Sequence, residues 1–211
     1  MPGHEINILR KILTGHCYGD NLEIRVNFMS TPSEADDVKL VFSLFSSDKL
    51  LIDEVVNKLE EVFGPTDWIS PWLFFDRTRY YEREMGWPLH RRFISFKKLI
   101  RPEDIVDIKL RAVGLENAYL RDGNRRINID PGYISLERLI LATGKNYTHR
   151  IYLSKGIYAD LTLVFNKGSF RPLAWTYMDY SDPVIIAYFN DERERYKRQL
   201  RGIEVELPES A

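Results

Sequence analysis

The sequence is poor in cysteine, since Cys17 is the one cysteine among its 211 residues. An internal disulfide framework and a metal site built from several thiolates are therefore excluded, and we assign no metal ligands. Long apolar runs are also missing, because none approaches the roughly twenty residues that a membrane-spanning helix needs. The N-terminus has no apolar core followed by a small-residue cleavage site, so it does not resemble a secretory signal. These absences predict a cytoplasmic protein without a membrane partner.

A strong charge of either sign is missing as well. The chain has 30 Lys and Arg residues against 31 Asp and Glu residues, which gives a net charge of −1. A general attraction to nucleic acid or to an anionic membrane is therefore not expected. The charge is uneven along the chain, however, because residues 76–101 contain eight basic and three acidic side chains.

Several well-known catalytic motifs are absent too. Gly144 and Lys145 suggest a phosphate-binding P-loop, but that motif needs a glycine at position 139 and a hydroxyl side chain at position 146. The chain has Leu139 and Asn146 there, so the loop could neither curl around phosphates nor ligate magnesium. The zinc-binding HExxH motif and the G-x-S-x-G nucleophile elbow are also missing. No reaction and no cofactor can be assigned from motifs of this kind.

What the sequence does contain is aromatic residues in quantity, with 4 Trp, 12 Tyr and 11 Phe, enough for a sizeable core. Residues 1–36 read as an N-terminal extension, with a short amphipathic helix, a strand-like segment and an acidic linker. We expect this extension to be poorly ordered or to reflect a wrongly assigned start, with Met29 as the alternative initiator. Residues 37–211 are predicted to form a single α+β domain.

The order of elements from Val38 onward is β-α-β-β-α-β, which predicts a ferredoxin-like core. A turn is predicted at residues 130–133, and residues 134–143 fit either a helix or a strand. An antiparallel hairpin meander should follow, with two-residue turns at Lys155-Gly156 and Lys167-Gly168. A C-terminal helix should begin at Asp182-Pro183.

The first hairpin of the meander places polar side chains on one face. If Ile157 and its alternate neighbours face the core, Tyr158 and Asp160 share the other face with Arg150 or Tyr152. One interpretation is a cross-strand Arg–Asp pair that only stabilises the hairpin. The other is a pocket for an anionic and planar ligand, in which arginine donates, tyrosine stacks and aspartate positions.

Several phrases of the chain together resemble the bacterial and archaeal family called domain of unknown function 4416. The phrases are FDRTRYYEREMG, RRFISFKKLI, NIDPGY, THRIYLSKGIYADLTL and WTYMDY. The resemblance implies no established activity. Some members carry the label GTP-binding protein, which the missing P-loop does not support. The family pattern coincides with Asp76, Tyr80, Tyr81, Glu84, Arg92, Asp130, Tyr133, His149, Arg150, Lys155, Tyr158 and Tyr177.

Two functional hypotheses follow from these patterns. The first is a small-ligand site, binding or catalytic, for a phosphorylated or nucleotide-like anion, lined jointly by Asp130, Arg92 and the hairpin of residues 149–160. It assigns acid–base roles to His149 and Asp130 and ligand contacts to Arg92, Arg150, Lys155, Tyr158 and Asp160. The alternative is an RNA- or protein-interaction module that uses the basic residues of 77–101.

Overall fold

The computed structural model describes residues 32–76 and 78–203. The helix and strand expected near the N-terminus, and the alternative start at Met29, lie outside the described residues. The described residues from Ala35 onward belong to one compact unit. The domain boundary between residues 36 and 37 stays a prediction.

Nine strands and four helices follow one another along the described chain. In chain order they are β1 (Val38–Ser46), α1 (Lys49–Phe63), β2 (Thr66–Ile69), β3 (Leu73–Phe74), α2 (Glu82–Met85), β4 (His90–Ile100), α3 (Ile105–Ala118), β5 (Ile127–Ile134), β6 (Arg138–Thr143), β7 (Arg150–Ser154), β8 (Ile157–Asn166), β9 (Ser169–Pro172) and α4 (Pro183–Leu200). Local chemistry accounts for several boundaries. The Asp48 carboxylate caps α1 by accepting a hydrogen bond from the Leu51 amide, and Gly64 ends that helix with a φ of 89°. Asp182 caps α4 in the same way, and Pro183 occupies the first turn.

All nine strands join one antiparallel sheet. Its main order is β2-β4-β1-β5-β6-β8-β7, while β3 pairs with β4 and β9 pairs with β8. The prediction of an α+β fold is thereby confirmed. The more specific expectation of a ferredoxin-like core stays a prediction.

The two faces of the sheet are covered by different helices. Leu40, Phe42 and Leu44 of β1 point to the face on which α1 and α3 pack. Val41 of β1 and Phe93 of β4 point to the opposite face, where α4 packs. Because β1 is buried on both faces, its sequence is a mostly apolar run instead of an alternating one.

The two predicted hairpins are confirmed, and both turn residues have positive φ in each. The φ angles are 51° and 78° at Lys155 and Gly156, and 50° and 82° at Lys167 and Gly168. This is the geometry that matches the twist of antiparallel strands across a two-residue turn. Arg150 lies opposite Asp160 in the resulting β7–β8 register, and Tyr152 lies opposite Tyr158.

The predicted turn at residues 130–133 is wrong. Asp130, Pro131, Gly132 and Tyr133 continue strand β5 and pair with β1 along its length. The segment that fitted either a helix or a strand contains strand β6. No helix among the described residues has both the length and the apolar character needed to cross a membrane.

Candidate functional site

Strands β5 and β6 are paired over only part of their length. Their register joins Gly132, Tyr133 and Ile134 to residues 141, 140 and 139, while the earlier residues of β5 pair with β1 alone. Pro131 stands where this pairing stops, and proline has no amide hydrogen to donate to a neighbouring strand. Gly132 allows the two strands to meet, since a Cβ there would overlap the carbonyl oxygen of Ile140. The sheet therefore opens between the first half of β5 and the end of β6.

Two charged side chains of α3 satisfy the β5 backbone at this opening. The Glu116 Oε1 atom accepts a hydrogen bond of 2.6 Å from the Ile129 amide, and Lys109 Nζ donates one of 3.0 Å to the Ile129 carbonyl oxygen. Positions 109 and 116 are two helical turns apart and share one face of α3. Both residues are buried, and they replace the backbone partners that a neighbouring strand would have supplied.

A cavity of about 750 Å³ occupies this opening, and we call it the β5–β6 cavity. Its wall comes from many separate segments of the chain. It is lined by Phe45, Phe75, Thr78, Tyr80, Tyr81, Arg91, Lys109, Val113, Glu116, Arg125, Asn128, Asp130, residues 141–145, Arg150, Asp160 and residues 177–180. The wall thus combines aromatic rings with convergent charged side chains from separate segments.

Asp130 lies at the centre of a hydrogen-bonded chain in this wall. Its Oδ1 accepts from Lys109 Nζ at 2.9 Å, and its Oδ2 accepts from Asn128 Nδ2 at 2.6 Å. Asn128 Oδ1 in turn accepts from Arg125 at 3.0 Å, and Arg125 forms a two-point contact of 2.7 and 2.8 Å with the Glu84 carboxylate. The whole chain holds the Asp130 carboxylate in one orientation.

The two carboxyl groups nearest Lys109 have opposite pKa shifts. Burial alone would raise the pKa of Asp130, but the Lys109 ammonium and the hydrogen bonds from Lys109 and Asn128 bring that pKa below its usual value. Burial raises the pKa of Glu116, and the charge of Lys109 only partly offsets this effect. Two carboxyl groups whose pKa values are shifted in opposite directions suit different protonation roles in one site.

Arg150 is the most heavily bonded residue of the hairpin. Its Nε donates to Asp160 Oδ2 at 2.8 Å, Nη1 donates to the Lys145 carbonyl oxygen at 2.9 Å, and Nη2 donates to the Tyr177 hydroxyl at 2.9 Å. His149 approaches the same carboxylate, with its Nε2 atom 3.4 Å from Asp160 Oδ2. The His149 ring stacks on Trp175 with centroids 5.1 Å apart. His149 is not among the residues that line the cavity, so its influence there would be exerted through Asp160.

The remaining predicted site residues lie away from the cavity lining. Arg92 points to the opposite face of β4, where its guanidinium carbon lies 3.9 Å from the Trp72 ring centroid and Nη1 lies 3.3 Å from Asp53. Lys155 pairs with Asp107 at 2.6 Å near the hairpin turn. Tyr158 packs edge-on against Tyr152. Of the predicted set, the structure brings Asp130, Arg150 and Asp160 together at the cavity, and Arg92, Lys155 and Tyr158 do not join them.

Arg91 lines the cavity in the position predicted for its neighbour Arg92. Its guanidinium forms an ion pair with Asp179 and lies 4.2 Å from the Phe75 ring centroid and 5.2 Å from that of Phe45. Its Nε atom has no hydrogen-bond partner within the described part of the chain. Because alternate residues of a strand face opposite sides, the choice between the two arginines depended on the register of β4.

Lys109 and Glu116 were missed for a different reason. Both fall in the helical spacing of the apolar positions Ile105, Ile108 and Ala112, which the structure buries against the sheet. A charged residue in such a position is a usable signal, because charged side chains are seldom buried unless they are paired. Arg125 and Lys145 carried no comparable signal, since both lie in loops.

The described basic residues of 77–101 do not share one surface. Arg91 is buried on the α4 face of the sheet, and Arg92 lies on the face covered by α1. Lys97 and Lys98 are exposed near the other end of β4. Arg79 lies over the Trp87 ring at 3.9 Å. Arg91 and Arg92 therefore point to opposite faces of the sheet, and the alternative of an RNA- or protein-interaction module stays a prediction.

The model of one protein family, Domain of unknown function (DUF4416), matches residues 36–196. The match runs from just before β1 into α4 and includes every segment that lines the cavity. The chain belongs to this family. Searches of curated proteins and of solved structures found no match. Within residues 32–76 and 78–203, no group of three or more His, Cys, Asp or Glu side chains could hold a metal ion.

Proposed function

We propose that the β5–β6 cavity binds a small organic anion, either phosphorylated or nucleotide-like. The observation that carries the proposal is the convergence of five cationic side chains from five separate segments on this one cavity. They are Arg91, Lys109, Arg125, Lys145 and Arg150. A single cavity assembled in this way is typical of a ligand site, whereas a surface used by a macromolecule is usually flat.

Four of these cations already have a carboxylate partner. Arg91 pairs with Asp179, Lys109 with Asp130, Arg125 with Glu84 and Arg150 with Asp160. No carboxylate among the described residues lies in ion-pair contact with Lys145. Glu116 is the remaining carboxyl group of the wall; burial raises its pKa, and its Oε1 atom already accepts a hydrogen bond from the Ile129 amide. An anionic ligand group would therefore bind at the Lys145 end of the cavity.

The aromatic side chains of the wall support a ligand with a planar part. Tyr80 and Tyr177 lie at the rim and are 72% and 55% exposed, so their rings are accessible to an incoming molecule. Phe45, Phe75 and Tyr81 lie deeper and pack against one another. A nucleobase or another flat group between these rings would gain stacking energy and lose contact with water. The volume of the cavity also falls in the range of about 300–1,000 Å³ that such ligands occupy.

A thermal-shift screen with isothermal titration calorimetry tests the proposal. The compounds are nucleoside monophosphates, sugar phosphates and inorganic phosphate, each measured with and without magnesium and each compared with its unphosphorylated counterpart. We expect phosphorylated compounds to stabilise the wild-type protein and to bind Lys145→Ala at least about ten-fold more weakly, since a charge-assisted contact is lost. Lys98→Ala, which changes an exposed lysine of β4, is the matched control and should bind as the wild type does.

Two results would contradict the proposal. One is equal binding of phosphorylated and unphosphorylated compounds, which would remove the need for an anion site. The other is equal weakening by Lys145→Ala and Lys98→Ala, which would indicate a general charge effect. Binding of a single-stranded RNA that Lys98→Ala weakens and Lys145→Ala does not would favour the alternative of an interaction module.

A further inference from the structure

The Asp130 carboxylate is held from two sides and still faces the β5–β6 cavity. Lys109 binds one of its oxygens and Asn128 the other, at 2.9 and 2.6 Å. The Asp130 side chain is nevertheless 39% exposed, whereas that of Lys109 is 8% exposed. An ionised carboxylate has about four acceptor positions, so each oxygen keeps room for one more donor. The remaining acceptor positions thus belong to both oxygens of one carboxylate whose orientation is fixed.

The partners that hold Asp130 are themselves fixed. Lys109 also donates to the Ile129 carbonyl oxygen, and Asn128 is bound by Arg125. Arg125 is locked by its two-point contact with Glu84. A carboxylate that is already oriented loses little conformational entropy when a ligand binds, which is the usual property of a specificity-determining contact.

The electrostatic surroundings decide what kind of donor Asp130 accepts. Besides the Lys109 ammonium in direct contact, the guanidinium of Arg91 acts on the Asp130 charge. A cationic ligand group beside Asp130 would be repelled by the positive charges of Lys109 and Arg91. Neutral donors avoid that repulsion and still form strong hydrogen bonds with an ionised acceptor.

We propose that Asp130 binds two neutral hydroxyl groups on adjacent carbon atoms, so that the ligand is a phosphorylated molecule with a vicinal diol. This inference rests on the proposed function, which places an anionic group at Lys145. The diol belongs either to a free sugar phosphate or to the ribose of a nucleotide. Asp130 is on this account a residue that selects the ligand, and its role does not depend on whether a reaction follows.

Calorimetric titration of the full chain with two matched pairs of compounds tests this proposal. The first pair is ribose 5-phosphate and 2-deoxyribose 5-phosphate, and the second is adenosine 5′-monophosphate and its 2′-deoxy form. We expect the deoxy compound of the binding pair to have an affinity lower by about ten-fold or more, because one hydrogen bond to a charged acceptor is lost. The pair that binds identifies the source of the diol.

Two variants complete the test. Asp130→Asn should bind the two members of the pair with nearly equal affinity, since the second acceptor is gone. Asp122→Asn alters a carboxylate that is 91% exposed in a surface turn, and it should keep the wild-type preference. If Asp130→Asn fails to fold, the comparison of the two compounds on the wild-type protein still decides the question.

The outcomes separate this inference from the proposed function. Equal wild-type affinity for the hydroxy and deoxy compounds would overturn the diol while leaving an anion site in place. If inorganic phosphate binds and none of the sugar phosphates or nucleotides does, the diol would likewise be overturned while the anion site remains. Failure of all phosphorylated compounds to bind would overturn the diol together with the proposed function.

Discussion

At the residue scale, the cavity depends on Gly132, because β5 and β6 come together at this residue. A Cβ atom at this position would overlap the Ile140 carbonyl oxygen and lie 2.8 Å from Leu141 Cδ2. The carbonyl belongs to a paired strand and cannot rotate away. We therefore expect Gly132→Ala to lower the free energy of unfolding by more than about 2 kcal/mol in urea denaturation, as strained core substitutions do.

Gly114 provides the matched control for this substitution. It lies inside α3, and apart from the nearby backbone of that helix a methyl group added there would have no atom of the described residues within 4 Å. Gly114→Ala should therefore stabilise the protein by up to about 1 kcal/mol, since alanine has the higher helix propensity. Similar effects of the two substitutions would contradict the close approach of β5 and β6.

Glu192 on α4 gives a prediction for pH dependence. Its side chain is fully buried, with Oε2 accepting from Ser95 at 2.7 Å and Oε1 accepting from Arg195 at 2.6 Å. Burial raises the pKa of Glu192 to about 7 from its ordinary 4.5, although Arg195 and Ser95 lower it and nearby Asp67 raises it further. The folded protein thus binds this proton more tightly than the unfolded chain does.

The sign of the effect follows from that difference. The stabilisation from Glu192 is fully present below pH 4.5 and is lost as the pH rises through about 7. The Glu192→Gln side chain is neutral at every pH. The free energy of unfolding of this variant, relative to that of the wild type, should therefore increase by up to about 3 kcal/mol as the pH rises from 4.5 through about 7. Urea denaturation at a series of pH values measures the difference, and Glu61→Gln on the exposed side of α1 should follow the wild type. A constant difference between Glu192→Gln and wild type would contradict the account.

At the scale of elements, Arg150 connects the β7–β8 hairpin by hydrogen bonds to the loop after β6 and to the loop that contains Tyr177. The Arg150 and Asp160 side chains are each 7% exposed, and Arg150 also binds Lys145 and Tyr177. We expect Arg150→Ala to lower the free energy of unfolding by roughly 3 kcal/mol, because the buried Asp160 carboxylate would lose its partner.

Lys155 in the same hairpin is the control for Arg150. Its pair with Asp107 is largely exposed, so Lys155→Ala should change stability by no more than about 1 kcal/mol. Thermal and urea denaturation of both variants provide the comparison. An Arg150→Ala variant as stable as wild type would contradict this role in the hairpin, and loss of a ligand-induced thermal shift in the same variant would then assign Arg150 to the ligand.

The elements also show which features local sequence could predict. Both hairpins were predictable because a Lys-Gly pair supplies the positive φ angles of a two-residue turn. The Asp130-Pro131-Gly132 sequence led to a wrong turn prediction, because these residues belong to β5 and their roles depend on contacts with other strands. Proline marks the end of pairing and glycine the close contact with β6. Local turn preferences carry no information on such contacts between distant strands.

The candidate site was only partly predictable for the same reason. Asp130, Arg150 and Asp160 were identified from their patterns, and the structure brings them to one cavity. Arg91, Lys109, Glu116 and Lys145 reach it through the register of β4, the face of α3 and the opening between β5 and β6. The register of β4, the buried face of α3 and the opening between β5 and β6 all depend on tertiary packing, which no single segment of the sequence specifies.

At the scale of the whole molecule, we expect the sheet and its helices to fold without the N-terminal extension. The described residues from Ala35 onward form one compact unit, and β1 begins only at Val38. A chain that begins at Met29 should therefore melt within a few degrees of the full-length protein. A large fall in melting temperature, measured by circular dichroism, would show that the extension contributes to the fold.

Binding of a small anion in the β5–β6 cavity can be observed residue by residue. The most direct measurement is amide chemical-shift mapping by NMR during titration of the full chain with adenosine 5′-monophosphate and ribose 5-phosphate. We expect saturable shifts at Lys145, Arg150 and Tyr177, with none at Lys97 and Lys98 on the exposed end of β4. Saturable shifts confined to residues outside the cavity, or no shifts with either compound, would contradict binding in this cavity.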